Sequence, residues 1–266
     1  MLKKLLKYEV QATSRIILPL YAALISLAIV NRVISSIPIL TWHAPQIISM
    51  IIYNMILIGM FIMTFVMMIQ RFYKNLLSDE GYLMFTLPIK SWMHIASKLL
   101  ISMMWMVTSG IVALISIFII AFDIIITKEF LHASVVFIGD FFRYFGPLSG
   151  LFIFEILLVG VVGLASMVLM IYASIAIGHL FNRHKILASV GSYIVLTTIS
   201  QILFIIMAVI SSYLPTPRHL SIANDLHGVE PIIHYVLWFV IIFSGILTSG
   251  YFILTNYILS KRLNLE

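Results

Sequence analysis

The chain repeatedly runs twenty or more residues with almost no charge, and more polar stretches separate the runs. The apolar runs are about 16–37, 47–69, 94–122, 150–180, 186–213 and 231–259. A helix needs roughly 20 apolar residues to cross the hydrocarbon core of a bilayer. Each run meets that length, and none alternates apolar and polar residues as the strand of a transmembrane barrel does. Only 10% of the 266 residues are charged, against about 25% in a soluble domain. Too few polar side chains exist to coat a water-soluble body of this size. The expected fold class is all-α: a polytopic membrane protein with six transmembrane helices, forming one transmembrane domain over 1–266.

Met1 to Arg15, MLKKLLKYEVQATSR, carries Leu2, Leu5, Leu6 and Val10 at helical spacing, with Lys3, Lys4 and Lys7 between them. That pattern predicts a separate helix lying in the membrane interface. Span 1 then begins at Ile16, which puts Pro19 in its first turn, where a missing N–H is harmless. Tyr8 to Arg15 is too polar for the apolar core of a signal peptide, so the first span is expected to be retained.

Six spans place both termini on one side. Twelve of the 16 Lys and Arg, Lys98 among them, fall on that side. Arg32, Lys128, Arg143 and Arg218 fall on the other. The positive-inside rule therefore predicts a multi-pass protein of the cell membrane with both termini in the cytoplasm. The 70–93 connection and the basic turn Asn182–Lys185 lie on the same side. Asp123 to Ser149 is amphipathic and is expected to pack on the outer membrane surface.

The cytoplasmic connection RFYKNLLSDEGYLMFTLPIKSWM, 71–93, is charged at its ends and apolar in its middle. Apolar surface left wet costs about 25 cal/mol per Å², so Tyr82, Met84 and Phe85 need a cover. Ser78 followed by Asp79 and Glu80 is a helix-start signal, and Pro88 disfavours helix at Leu87. A short transverse helix, about Ser78–Leu87, is expected between two long ones. Its apolar face suits a groove on a partner protein. Dipping into the lipid headgroups satisfies the same residues.

The basic N-terminus and RFYKNLLSDEGYLMFTLPIKSWMHIASKLL, above all Asp79 through Thr86-Leu87-Pro88 to Ser97-Lys98-Leu99-Leu100, resemble the ABC-2-type permeases. These are membrane subunits of ABC (ATP-binding cassette) transporters, and the likeness is to the small six-span type of Gram-positive bacteria. The resemblance implies that about 78–87 is a coupling helix seated in an ABC ATPase subunit, with Asp79, Glu80, Tyr82, Met84 and Phe85 at the contact. It implies that 1–15 is the elbow helix. It also implies a second permease copy or a sister permease, and export of a hydrophobic or amphipathic peptide, drug or lipid-like molecule. A non-transporting membrane interaction protein, such as a peptide-immunity or sensor subunit, is the alternative.

No G-x-x-x-x-G-K-[ST] run occurs, so ATP would be bound by a separate subunit and no cofactor is expected in this chain. Cysteine is absent, which removes thiolate chemistry and Cys-ligated metal. The eight histidines are scattered, none in H-E-x-x-H, and nothing points to an enzyme, a metal site or nucleic acid. Glu155 stands inside span 4. Intramembrane acids are costly and often functional, which makes Glu155 a candidate for the outer substrate path. Snorkelling or pairing with Arg143 is the structural alternative. Gly160, Gly163, Ala165, Ser174 and Gly178 suit close helix packing. The methionines Met50, Met55, Met60, Met63, Met67 and Met68 suit core or lipid packing, or an adaptable substrate lining.

Overall fold

The computed structural model describes residues 2–36, 44–77, 90–121, 124–181, 183–213 and 230–261. Among them the regular structure is entirely helical. The helices are α1 (Leu2–Ser35), α2 (Ala44–Leu77), α3 (Ser91–Ala121), α4 (Ile124–Phe145), α5 (Ser149–Gly178), α6 (Lys185–Tyr213) and α7 (Glu230–Lys261), with a 3-10 turn at Gly146–Leu148. Six stretches are long and apolar enough to cross a membrane, the fourth being the run 128–178 through α4 and α5. The protein is thus built as a multi-pass helical membrane protein. Large apolar side chains such as Leu114, Ile186 and Ile253 stand outward, where lipid can cover them without the cost that water would impose.

Two compact units divide the chain. The first is 1–75 with 83–134, and the second is 76–82 with 135–266. In the first unit α1 is a single helix of 34 residues, about 51 Å at 1.5 Å per residue. This corrects the expected separation of an interfacial helix at 1–15 from a span starting at Ile16. No glycine interrupts α1, and Glu9, Thr13, Ile17, Tyr21, Leu24, Ala28 and Asn31 are its buried positions. Their spacing of three and four keeps one stripe facing inward from the polar segment into the apolar one, so packing carries the helix straight through. Pro19 consequently sits inside the helix rather than in a first turn. Its missing N–H leaves the Arg15 carbonyl without its usual helical donor.

A seam of side-chain hydrogen bonds ties α1, α2 and α3 together. Trp105 Nε1 donates to Thr13 Oγ1 at 2.8 Å. Tyr21 Oη meets Ser109 Oγ at 2.8 Å, and the same serine meets Thr64 Oγ1 at 3.0 Å. Tyr53 Oη meets Ser116 Oγ at 2.8 Å, and Asn31 Nδ2 donates to the Ser49 carbonyl at 3.3 Å. Interhelical bonds of this kind contribute about 0.6 kcal/mol each on average in membrane proteins. Around the seam lie Ile17, Leu24, Met60, Met67 and Ile101. The α2 methionines therefore divide: Met60, Met67 and Met68 are buried, whereas Met50, Met55 and Met63 are exposed.

In the second unit α5 is the central helix and packs against both α6 and α7. Its C-terminal half, from Ala165 to Gly178, holds most of its buried residues. Of the described α6 side chains none is buried, so α6 lies at the edge of this unit. The α5–α6 turn is tight because Gly178 leaves room for Ser189: a Cβ built there would fall 2.0 Å from Ser189 Oγ and 2.6 Å from its backbone nitrogen. Gly160 and Gly163 meet nothing within 4 Å, so only Gly178 of the three serves close packing in this unit. Asp123–Ser149, expected as a surface segment, is mostly the regular helix α4. Gly146 adopts φ +48° between α4 and α5, a conformation that suits glycine. Pro147 and the Ser149 Oγ bond to the Gly146 carbonyl (2.9 Å) then fix the turn.

Candidate functional site

The described residues stop at Leu77 and resume at Lys90. The proposed contact residues Asp79, Glu80, Tyr82, Met84 and Phe85, and the short helix about 78–87, lie outside them. The helices that flank that connection are described, and Asn75 on one and Lys98 on the other lie in the first unit. Lys98, on the first turns of α3, is only 3% exposed. Its Nζ donates to Glu9 Oε1 at 2.5 Å. Asn75, in the last turn of α2, donates from Nδ2 to the same oxygen at 3.4 Å. One carboxylate on α1 thereby binds the helix entering the connection and the helix leaving it. A buried charge-assisted pair of this kind is stronger than a neutral bond and is sensitive to loss of either partner.

Lys98, one of the cations counted on the side of the termini, is thus buried in an ion pair rather than free at the surface. The inward face of Glu9 was visible in principle. It is the first member of the stripe that continues through Thr13, Ile17 and Tyr21. Nothing in the local sequence shows that Lys98, 89 residues away, completes the pair.

A second buried polar pair lies in the second unit, where Glu155, on the second turn of α5, is fully buried. Its Oε2 lies 2.6 Å from Nδ1 of His234, on the first turns of α7. This overturns the expected choice between snorkelling and Arg143: the partner is His234. Among the described residues, Glu155 Oε1 and His234 Nε2 have no hydrogen-bond partner. Phe145 and Phe152 stand edge-on to the imidazole, at centroid distances of 6.5 and 6.2 Å. The pair joins the ends of α5 and α7 in an apolar setting. Glu155 does not line either of the large grooves of this unit.

One of those grooves, about 610 Å³, lies among α5, α6 and α7. Ser166, Thr197, Gln201 and Ser244 interrupt a lining of Met167, Met170, Phe204 and Phe243. Ser200 and Tyr251, also in the lining, are hydrogen-bonded to each other at 2.5 Å. The groove carries hydroxyl and amide groups but no formal charge, so it suits a neutral amphipathic molecule. No group of three or more His, Cys, Asp or Glu side chains able to hold a metal ion occurs among the described residues.

His179 follows the C-terminus of α5 and is half-buried. Burial, and then the nearby Lys185 ammonium, push its pKa below the ordinary histidine value. Hydrogen bonds to backbone at Leu77 and Ile175 oppose the shift without cancelling it. The neutral imidazole is the form this turn accommodates.

No protein-family model matches the sequence, and searches of curated proteins and of solved structures give no match either.

Proposed function

We propose that this chain is the permease subunit of an ABC transporter, driven by a separate ATPase that docks on the 78–87 segment. The observation that carries the reading is the Glu9 carboxylate shared by Lys98 and Asn75. A docking segment transmits motion only if its stems are held in a stiff frame, and this contact binds both stems to α1. Displacement of the segment would act on α1, α2 and α3 together rather than bend one helix end. The resemblance of 71–100 to ABC-2-type permeases supplies the identity of the motor, and the basic flanks favour the cytoplasm for the segment and both termini. ATP binding by two ATPases favours one arrangement of two permease subunits over the other by differential affinity. In this reading the uncharged groove among α5, α6 and α7 is part of the path for a hydrophobic or amphipathic cargo.

The test uses tagged full-length chain, expressed beside the ATPases of its native host and purified in mild detergent. The wild type is expected to retain an ABC ATPase subunit, and Tyr82→Asp with Phe85→Asp is expected to lose it at an unchanged melting temperature. Retained ATPase in the double variant refutes the docking assignment. A wild-type chain that captures no ATPase favours a non-transporting membrane interaction protein.

A further inference from the structure

The second large groove of the second unit lies between the C-terminal half of α4 and the first turns of α5. It is an open groove of about 630 Å³, within the roughly 300–1,000 Å³ usual for small-molecule sites. Phe141, Phe145 and Phe152 supply an aromatic cluster. Their ring centroids are 5.0 Å apart for Phe141 and Phe145, 5.5 Å for Phe141 and Phe152, and 4.3 Å for Phe145 and Phe152. Ile156 and Leu157 add exposed aliphatic surface. Asp140 is the single formally charged residue in the lining. Its exposed carboxylate makes no hydrogen bond or ion pair with any described residue. Arg143, one turn further along α4, is outside the lining.

Aromatic faces attract cations through the ring quadrupole, more strongly where water is excluded. An adjacent carboxylate adds to that attraction and repels anions. A bare acyl chain would match the aromatic and aliphatic surface and leave the charge of Asp140 unanswered. We propose that this groove binds an amphipathic organic cation. An ammonium or phosphonium centre lies beside Asp140 and the phenylalanine rings, and its apolar body follows Ile156 and Leu157. The site is distinct from the uncharged groove among α5, α6 and α7, and its occupancy does not depend on the transporter reading.

The probe is tetraphenylphosphonium, measured by equilibrium dialysis against full-length chain in neutral detergent, with no ATPase or nucleotide present. Tetraphenylborate, of the same shape and opposite charge, is measured in separate runs. The cation is expected to bind saturably, with the anion at least tenfold weaker. Asp140→Asn should lower the cation affinity about tenfold, and Asp140→Glu should retain most of it. Phe141→Leu, which keeps apolar bulk and removes the ring, should weaken the cation and leave the anion unchanged. Equal binding of the two ions, non-saturable uptake, or an Asp140→Asn protein that binds like wild type overturns the proposal. So does an absence of cation binding in a chain whose self-association is abolished by Asp140→Asn, which assigns the groove to a second copy.

Discussion

Lys98→Met is the most discriminating perturbation of the first unit. The substitution keeps the length and apolar stem of the side chain and removes the ammonium. Among the described residues Glu9 is then left buried with only the long Asn75 contact at 3.4 Å. Removing one partner of a buried ion pair costs about 3–5 kcal/mol, whereas replacing both by apolar groups is often neutral or stabilising. Lys98 lies only two turns from the start of α3, so in the unfolded bilayer state it can snorkel toward the headgroups. That places the expected cost near the lower end, about 3 kcal/mol. At about 2–4 °C per kcal/mol for a chain of this size, the melting temperature should fall by roughly 6–12 °C. Trp105 reports the transition directly, because its indole is bonded to Thr13 one turn from Glu9. Thermal unfolding followed by tryptophan emission in detergent gives the values for Glu9→Met, Lys98→Met and the double variant. The double variant should recover most of the loss of either single. Two singles that each melt like wild type, or losses that simply add, would refute the claim that this pair is a buried unit.

Three further outcomes follow from local geometry. Gly178→Ala should destabilise the second unit by about 1–3 kcal/mol through overpacking. Ser189→Gly should fail to rescue it, since the backbone nitrogen and Cα of residue 189 remain 2.6 and 2.7 Å from the added methyl; Gly160→Ala and Gly163→Ala should melt like wild type. His234→Leu strips Glu155 of its partner and should cost about 1–3 kcal/mol or more, whereas Glu155→Gln keeps an acceptor for Nδ1 and should cost less; comparing the two melting temperatures decides this, and the reverse order contradicts the pairing. His179 has a folded-state pKa below its unfolded value, so the unfolded chain takes up the proton first as pH falls. Its contribution is present above about pH 6.5 and is lost on acidification through that value toward the lower folded one, and His179→Gln should flatten the fall in melting temperature between pH 7 and 5.

The span count was legible because hydrophobic length is a local property. Each of the six apolar runs predicted from sequence overlaps one of the six long apolar stretches of the structure, to within two residues at the ends it overshoots. The helix ends were less legible. Apolar content ends where lipid ends, but α1 continues through Lys7, Glu9 and Arg15 because its inward stripe remains packed. The extent of α4 was likewise hard to read, since Lys128, Glu129, Asp140 and Arg143 interrupt the apolar pattern of a continuous helix. Polar pairing was the least legible feature. Glu155 was singled out because an acid in an apolar run is conspicuous. His234 carries no such signal, because a histidine near a span end has many solvated alternatives.

The pairing of Glu9 with Lys98 also changes how the charge asymmetry should be read. The positive-inside rule counts cations that face the aqueous flank, and a lysine neutralised inside the helical frame is not one of them. Removing Lys98 leaves eleven cations on the side of the termini against four on the other. The bias is undiminished in direction, and it now rests on residues such as Lys3, Lys4, Lys7 and Lys74 that stand at the surface. The buried lysine instead ties two helices together. A cation seven residues into α3, bonded to a carboxylate in the third turn of α1, fixes the register between those helices beside the stem of the 78–87 segment. Charge reversal by Glu9→Lys with Lys98→Glu keeps the pair and the register while leaving the basic flank intact. If docking acts through this contact, the swapped protein should retain both stability and ATPase coupling, whereas the paired Met variant should retain stability alone.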